Sequence, residues 1–361
     1  MTDAKTRVAI IGAGIGREHL AGYLDLPAQF QVEVLCDLDH ARAREVVQQH
    51  SIAIETEIDA VLQDDCIDLI DICLPPHLHY DAVMTALAAG KHVICEKPLV
   101  TSLREVDEII EASSTSGKRV FPVFQYRYGN AMAQLRALMD AGIAGKPFVA
   151  SLETHWNRGA DYYAIPWRGT WRGEQGGAVL GHAIHSHDLL ACVFGAIEKV
   201  FASTATRVNE IETEDCASVM LQMKNGAVAT SSITLGAATD TSRLRFCFEG
   251  LTAESGTLPY APMADAWRFT AREPVQQAEV DAVVQQTPVE LSGFSGFLES
   301  VSRGLAGDAD SAAGEAPVTL QQARHSIELV NAIYQSAESD RCITLPLDHT
   351  DVYYNGWLPA R

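Results

Sequence analysis

Val8-Ala9-Ile10-Ile11-Gly12-Ala13-Gly14-Ile15-Gly16-Arg17 is the stretch that decides the fold of this chain. An apolar run ends in three closely spaced glycines, and a helical pattern follows over Glu18–Leu26. This order is typical of a dinucleotide-binding turn, because glycines let a pyrophosphate approach the N-terminus of a helix. The third glycine comes one residue earlier than in GxGxxG, so the loop is a shorter variant. The cofactor-binding residues predicted here are Gly12, Gly14, Ile15 and Gly16.

An acidic residue closes the next strand pattern, Val32–Asp37. Asp37 lies roughly twenty residues after the glycines, where a carboxylate binds the adenosine ribose 2′-hydroxyl and repels a 2′-phosphate. The position therefore favours NAD over NADP. Arg42 is the nearest candidate for a phosphate, although its place in a helical pattern indicates a solvated helix face.

The first third of the chain alternates short apolar runs with helical patterns, which indicates βαβ units and a parallel sheet. Further strands are predicted at Asp68–Leu74, His92–Glu96 and Arg119–Gln125. Their Ile, Val and Leu runs lack strict alternation, as expected when helices cover both faces. We predict an α/β fold with a doubly wound Rossmann domain over residues 1–126.

The pattern changes in the remainder, residues 127–361. A helix is predicted over Ala178–Phe194, and strands dominate afterwards. Lys224-Asn225-Gly226 joins two strand patterns as a hairpin, because Asn-Gly favours the tight turns of antiparallel pairs. A surface loop is expected over Gly304–Pro317. We predict an α+β domain with an open, largely antiparallel sheet.

Composition excludes some classes of function. Asp and Glu outnumber Lys and Arg by 47 to 27, a formal net charge of -20, which disfavours nucleic-acid binding. No signal-peptide pattern or membrane-length apolar run is present, and the eight cysteines form no CxxC pair. We expect a cytoplasmic protein with no membrane partner.

The turn Cys95-Glu96-Lys97-Pro98 ends another predicted strand, and ligands bind at the carboxyl ends of strands in open parallel sheets. Pro98 restricts Lys97 to an extended conformation, so its ammonium can project from the sheet edge toward a nicotinamide. A surface lysine before a turn is the simpler alternative when this turn is considered alone.

Three motifs in order resemble the Gfo/Idh/MocA oxidoreductase family over nearly the whole chain. They are Ile72-Cys73-Leu74-Pro75-Pro76-His77-Leu78-His79, then Ala88–Leu99 with its Glu-Lys-Pro turn, then Gly176-Gly177 through His185 to Asp188. The resemblance implies a Rossmann domain and an α+β domain whose open sheet mediates a homodimer or homotetramer. It also implies NAD and a polyol substrate, either a sugar, a sugar derivative or a cyclitol.

The resemblance also implies roles for individual residues. Leu74, Pro75, Pro76 and His79 would line the cofactor, Glu96 and Lys97 would lie by the nicotinamide, and His185 would be the active-site histidine. One departure stands out, since the family often has an Asp four residues before that histidine and this chain has Gly181.

Oxidation of a secondary alcohol needs a base for the hydroxyl proton while the carbon hydride moves to the cofactor. A histidine accepts protons near neutral pH, so we assign the base to His185. Lys97 would hydrogen-bond the same oxygen and stabilise its developing alkoxide charge, or relay the proton if its pKa is lowered. His182 and Asp188 each lie three positions from His185, so they share roughly its helix face, and His187 does not. His182 is therefore a further catalytic or substrate-binding candidate.

Polar and aromatic side chains near the predicted strand ends and in an aromatic loop are candidates for the remaining contacts. Strand alternation places Glu153, His155 and Asn157 on one face. Gln125 is assigned to the cofactor. The other substrate-binding candidates are Tyr126, Arg127, His155, Asn157, Arg168 and Trp171.

Two other functions stay open at this point. A metal-dependent lyase or hydrolase would use His182, His185 and His187, because histidines and carboxylates also form zinc sites, but it leaves the glycine loop and Asp37 unexplained. A non-catalytic NAD-binding sensor is compatible with the missing acid, but not readily with Lys97 and His185. We predict no metal.

Overall fold

The computed structural model describes residues 5–307 and 316–358, and its chain forms two compact units. The first unit comprises Met1–Val123 and Phe294–Arg324, and the second comprises Phe124–Gly293 and His325–Arg361. The boundary expected after residue 126 lies close to the end of the first segment at Val123. That Phe294–Arg324 also belongs to the first unit was not predicted. The predicted surface loop over 304–317 falls mostly on residues 308–315, which lie outside the described residues.

The first unit contains a six-stranded sheet in which every neighbouring pair is parallel. Its strands are β1 (Thr6–Ile11), β2 (Phe30–Cys36), β3 (Ala53–Glu55), β4 (Leu69–Ile72), β5 (His92–Cys95) and β6 (Val120–Pro122). The order β3-β2-β1-β4-β5-β6 reverses between β1 and β4, and the carboxyl ends of strands at such a point form the crevice for ligands. The predicted doubly wound fold is confirmed.

Helices connect these strands, and their ends follow local sequence rules. They are α1 (Gly16–Leu24), α2 (His40–Val47), α3 (Ile58–Leu62), α4 (His79–Ala88) and α5 (Leu103–Ser116). Ser102 caps α5 by accepting a hydrogen bond from the backbone N–H of Glu105, and Gly117 ends it in the left-handed region at φ +66°.

The second unit contains an eight-stranded sheet, antiparallel except where β10 lies parallel to β7. Its strands are β7 (Pro147–Asn157), β8 (Ile197–Ala205), β9 (Cys216–Met223), β10 (Val228–Thr234), β11 (Gly236–Phe248), β12 (Leu251–Glu254), β13 (Arg268–Ala271) and β14 (Ile343–Thr344). The predicted Asn-Gly turn joins β9 to β10. The largely antiparallel sheet is thus also confirmed.

Helices cover one face of this sheet. The helices of the second unit are α6 (Asn130–Asp140), α7 (Ala160–Tyr163), α8 (Ile184–Phe194) and α9 (Gln277–Gln286). Apart from Gly293, α10 (Gly293–Ala306) belongs to the first unit, whereas α11 (Leu320–Ser339) begins in the first unit and ends in the second. Burial alternates along β9 and β10, so their second face is open to solvent. Among residues 5–307 and 316–358, no helix combines the length and apolarity needed to cross a bilayer.

Candidate active site

Each glycine of the first turn has a different steric reason to lack a side chain. Gly12 adopts φ +105°, and a Cβ there would lie 2.5 Å from the carbonyl oxygen of Cys73. A Cβ on Gly16 would lie 2.8 Å from Cγ2 of Ile10, whereas one on Gly14 would have no atom within 4 Å among the described residues other than its chain neighbours. These are the requirements of a dinucleotide-binding turn, namely a tight turn, an open approach for the pyrophosphate and close packing of helix on strand. The shorter spacing therefore keeps all three functions, and Ile15 lies exposed just before α1.

Asp37 follows β2 directly and accepts hydrogen bonds from several donors. The backbone N–H of Ala13 lies 2.7 Å from Oδ2, and that of Asp39 lies 2.8 Å from Oδ1. Arg42 binds both oxygens, at 2.6 and 3.2 Å. Burial acts to raise the pKa of Asp37, but these bonds outweigh it and the pKa is lowered. The carboxylate is ionised and held against the glycine loop, with Arg42 at its side rather than directed only to solvent.

His79 was expected to line the cofactor, but the structure gives it another role. It is fully buried, and its ring nitrogens lie 2.7 Å from the carbonyl oxygens of Pro98 and Leu74. Burial lowers its pKa. The His79 ring therefore lies between the end of β4 and the Lys97–Pro98 turn, whereas Leu74, Pro75 and Pro76 are partly exposed.

Glu96 and Lys97 follow β5 at the same edge of the sheet. Glu96 is only 6% exposed, and its Oε2 accepts a hydrogen bond from the backbone N–H of Lys97 at 3.0 Å. Its Oε1 lies 3.1 Å from Nε2 of His19. Lys97 itself is half-buried. The Glu96 carboxylate therefore braces the turn that carries Lys97.

The segment that carries His182 and His185 starts on a buried carboxylate that sequence reasoning missed. Glu214 accepts hydrogen bonds from the backbone N–H groups of Gly177 and Val179, and from the hydroxyl of Tyr334. Burial raises the pKa of Glu214 to about 7. A Cβ on Gly177 would lie 1.9 Å from the carbonyl oxygen of Glu214, which explains why glycine stands there. No local pattern links positions 177 and 214.

His182 and His185 lie on consecutive turns, the first in a π-helical turn over Val179–Ala183 and the second in α8. Such turns recur at functional sites. The ring of His185 stacks on Tyr126, with centroids 4.4 Å apart and planes 19° apart. His182 instead packs edge-on against Trp156, at 4.9 Å.

His187 points elsewhere, as its helical position predicted. Its Nε2 lies 3.0 Å from the hydroxyl of Ser231, and burial lowers its pKa to about 4. His187 is consequently neutral near pH 7 and packs against the sheet.

Arg127 was expected to bind substrate, and the structure contradicts this. Its guanidinium forms a bidentate ion pair with Asp188, with Nε–Oδ2 and NH2–Oδ1 distances of 2.7 and 2.6 Å. Burial acts to lower the pKa of Arg127, but the adjacent carboxylate outweighs it and the pKa is raised. Ser326 also donates to Asp188, at 3.2 Å. Arg127 and Asp188 therefore anchor α8.

His155 and Asn157 share one face of β7, as predicted, but it is the wrong face for a site at His185. Thr154 and Trp156 point to the helix-covered face, where Thr154 lies 3.5 Å from Ser186 of α8. His155 bonds Ser232 on the open face. The sheet therefore separates His155 and Asn157 from His182 and His185, and we omit them from the site.

Arg168 and its neighbours form an aromatic cluster next to His182. The guanidinium lies 3.9 Å from the ring centroid of Tyr162 and 4.7 Å from that of Trp167. Tyr162 lies 6.0 Å from His182. Arg168 Nε is buried with no hydrogen-bond partner in the described part of the chain. Trp171 points away from these rings and packs on Tyr334 at 5.9 Å.

A carboxylate lies beside Gly181, where the acid expected from the family is missing. A Cβ on Gly181 would lie 3.9 Å from Oε1 of Glu174. Glu174 is only 6% exposed and accepts a hydrogen bond from the backbone N–H of Gly169 at 2.6 Å. Tyr162 donates to Oε1 at 3.4 Å. Glu174 was not predicted from the sequence, because it lies before the helix, where helical spacing does not indicate neighbours.

Comparison with known proteins gives two adjoining family matches. Residues 6–124 match a family described as "Oxidoreductase family, NAD-binding Rossmann fold", and residues 132–254 match its "GFO/IDH/MocA C-terminal domain". The chain is 27% identical over 230 residues to an inositol 2-dehydrogenase/D-chiro-inositol 3-dehydrogenase of Lactiplantibacillus plantarum, covering 61% of this chain and 63% of that relative. An uncharacterized oxidoreductase of Synechocystis is also 27% identical, over 63% of this chain and 65% of its own length. The chain thus spans a little under two thirds of these curated relatives.

Solved structures match over more of the chain. The WlbA dehydrogenase of Chromobacterium violaceum, in complex with NADH and UDP-GlcNAcA, is 26% identical with a TM-score of 0.83, covering 96% of this chain and 98% of its own. Its counterpart from Bordetella pertussis, with the same two ligands, is 25% identical with a TM-score of 0.82, covering 96% and 100%.

Proposed function

The chain belongs to the Gfo/Idh/MocA oxidoreductase family, and from this premise we propose that it is an NAD-dependent dehydrogenase acting on a secondary alcohol of a sugar, sugar derivative or cyclitol. The observation that carries the proposal is the glycine turn with an ionised Asp37 held against it. The inositol dehydrogenase relative and the NADH-bound WlbA structures support it.

The residues at the strand ends of the first unit fit a dinucleotide. Gly14 leaves open space for the pyrophosphate, and Asp37 presents carboxylate oxygens for the ribose hydroxyls. Pro75 and Pro76 provide a rigid, partly exposed wall. When bound, NAD supplies a hydride acceptor. Gln125 of the second unit is a further candidate, because its Oε1 is buried without a hydrogen-bond partner among the described residues.

The second unit supplies the base in this proposal. His185 accepts the hydroxyl proton of the alcohol, and stacking on Tyr126 fixes the plane of its ring. Tyr126 donates its own hydroxyl to the carbonyl of Pro259 at 3.0 Å, so it serves as a platform rather than as an acid. Lys97 hydrogen-bonds the alcohol oxygen and stabilises its developing negative charge.

The substrate class rests on the surroundings of His182. Trp156 and Tyr162 surround His182 with aromatic rings, and the polar groups of His182 and Arg168 suit the hydroxyls of a sugar or cyclitol. We therefore keep His182 and Arg168 as substrate-binding residues, with His182 next to the base.

Eight free cysteines, three of them exposed, agree with a cytoplasmic location.

Glu174 takes over, in this proposal, the part of the acid that is absent at Gly181. We expect Glu174→Gln to lower kcat about 10-fold with an unchanged Kd for NADH, because the cluster around His182 loses the negative charge of this carboxylate. Gly181→Asp alone should also lower kcat, since two carboxylates would then lie side by side. Steady-state kinetics and fluorescence titration measure both quantities.

The double variant Gly181→Asp/Glu174→Gln is the decisive arm, and it should recover part of the lost kcat. Glu212→Gln is the matched control, because Glu212 is exposed and its carboxylate accepts a hydrogen bond from the backbone N–H of Trp171. Equal kcat values in Glu174→Gln and the wild type would contradict the assignment.

We also propose that the open face of the second sheet mediates a homodimer or homotetramer. Three apolar side chains on adjacent strands point outward from this face. They are Phe201 of β8, Met220 of β9 and Val228 of β10, which are 40%, 57% and 47% exposed. Contiguous exposed apolar side chains of this kind mark protein interfaces. Met220→Lys should shift the protein to monomer in light scattering coupled to gel filtration. Val289→Lys, at an 86% exposed position outside the sheet, should leave the assembly intact, and an unaffected oligomer in Met220→Lys would contradict this surface.

Turnover with a panel of polyols tests the function itself. Purified protein is supplied with NAD and with inositols, aldoses, sugar acids and nucleotide sugars, and absorbance of NADH is followed with and without chelator. The proposal expects chelator-insensitive NADH formation with at least one member. Tight NADH binding without turnover or reverse reduction of any corresponding ketone would favour the sensor function instead.

A further inference from the structure

A buried polar cluster lies beneath the glycine turn of the first unit, and the proposed reaction does not use it directly. We call it the His19 cluster. Its members, all buried, are His19 and Tyr23 of α1, Asp71 of β4, Cys73 and Glu96. Buried charges are normally paired, and here one cation-forming side chain serves two acids.

Both ring nitrogens of His19 face carboxylates. Nδ1 lies 2.9 and 3.1 Å from the two oxygens of Asp71, and Nε2 lies 3.1 Å from Oε1 of Glu96. Ionised carboxylates only accept hydrogen bonds, so this geometry places a proton on each nitrogen. Burial acts to lower the pKa of His19, but the adjacent Asp71 outweighs it and raises the pKa well above its usual value.

Neighbouring groups hold the His19 ring in this orientation. Its ring lies 4.2 Å from that of Phe294, which belongs to the same unit. Tyr23 donates its hydroxyl to Oδ2 of Asp71 at 3.0 Å, so a second group also holds that carboxylate. Cys73 lies next to Nδ1, with its sulfur at 3.5 Å. The imidazole therefore has one position and two directed N–H groups.

The second oxygen of Glu96 connects the cluster to Lys97. Oε2 accepts the backbone N–H of Lys97 at 3.0 Å while Oε1 is bound to His19. A carboxylate held at both oxygens has little rotational freedom. Glu96 therefore links the backbone of Lys97 to the ring of His19. His79 fixes the following carbonyl, that of Pro98.

We propose that His19 is a positioning residue: by donating from both ring nitrogens to Asp71 and Glu96, it holds the Glu96 carboxylate that sets the backbone of Lys97. The role of Lys97 in alcohol oxidation belongs to the proposed function, on which this inference rests. The inference adds a residue that touches neither cofactor nor alcohol and acts through the Lys97 turn.

The ligand atoms of His19, Asp71 and Cys73 all lie within 4.8 Å of one another, which also matches the composition of a metal site. The 2.9 Å contact between Nδ1 and the Asp71 oxygen is a hydrogen-bond distance, and a bound ion would have to replace the proton between these atoms. Metal analysis of the purified protein decides this point. Stoichiometric zinc that depends on His19 would overturn the hydrogen-bonded arrangement.

A double-mutant cycle with Lys97 tests the inference. His19→Gln should lower kcat about 10-fold with an unchanged Kd for NADH, because a small displacement of a catalytic group costs rate rather than binding. In a Lys97→Ala background, the same change should alter the residual rate less than about threefold, because effects of residues that act as a unit do not add. Full multiplication of the two losses would overturn the inference, since it would indicate independent or merely structural effects.

Two further variants keep the test decisive if His19→Gln folds poorly. Asp71→Asn retains an acceptor for Nδ1 but removes its charge, and we expect the same non-additive pattern with a smaller loss. His92→Gln is the matched control, because His92 lies at the other end of β5, where its ring accepts a hydrogen bond from the backbone N–H of Arg119. Wild-type protein that oxidises no polyol would contradict the proposed function, whereas active wild type with unimpaired His19 and Asp71 variants would contradict this inference alone.

Discussion

Lys97→Ala should lower kcat for the polyol by about a thousandfold while the Kd for NADH changes less than about threefold. The ammonium is expected to act on the alcohol oxygen, where charge develops only as the reaction proceeds. Its removal therefore affects the rate much more than ground-state binding. Stopped-flow measurement of NADH formation at saturating NAD, with a parallel fluorescence titration of NADH, gives both numbers.

Lys97→Arg sharpens this prediction. Arginine keeps the positive charge but is longer and presents a planar fork, so we expect it to restore only a small part of the rate. Lys118→Ala is the control, because Lys118 lies after α5, before β6, away from the turn. Near-normal turnover in Lys97→Ala would show that the lysine is an ordinary residue before a turn, the alternative that the sequence left open.

The pH profile separates Lys97 from His185. Protonation of His185 removes the proposed base, so kcat/KM should fall toward acid pH in both wild type and Lys97→Ala. Loss of that acidic limb in His185→Gln, but not in Lys97→Ala, would assign the limb to the histidine. His187 cannot account for it, because burial lowers the pKa of His187 to about 4 and its ring is bonded to Ser231.

The parts of the fold that sequence predicted are those encoded locally. The run from Val8 to Gly16 specifies a strand, a turn and a helix within a few residues, and each glycine has its own steric reason. The Asn225-Gly226 hairpin and the position of Asp37 after β2 are equally local. Strand β3 was not predicted, because a strand of three residues is too short to show a periodic pattern of apolar side chains.

The parts that sequence could not predict are pairings between distant residues. Glu214 bonds Gly177, 37 positions before it, and Glu174 lies beside Gly181 although it belongs to the turn before the helix, where helical spacing does not apply. Arg127 looked available for substrate because its partner, Asp188, lies 61 positions away. Alternation correctly grouped Glu153, His155 and Asn157, but period alone cannot tell which face of a sheet a helix covers.

Cofactor choice provides the second large effect. We expect Asp37→Ser to raise the ratio of kcat/KM for NADP to that for NAD by about a hundredfold. The carboxylate that would repel a 2′-phosphate is removed, and Arg42, now bound to it at 2.6 and 3.2 Å, becomes available to bind that phosphate. Serine still offers an acceptor to the backbone N–H of Ala13, so the glycine loop should keep its path.

Arg42→Ala distinguishes the two contributions. In the wild-type background it should change the NAD reaction little, because Asp37 retains its bonds to the backbone N–H groups of Ala13 and Asp39. In the Asp37→Ser background it should remove most of the gain with NADP, since only loss of repulsion then acts. A ratio that stays unchanged in Asp37→Ser would contradict the ribose contact itself. If the gain with NADP survives Arg42→Ala in the Asp37→Ser background, the guanidinium does not bind the 2′-phosphate. Its role in the wild type would then be only to hold Asp37 ionised beside the turn.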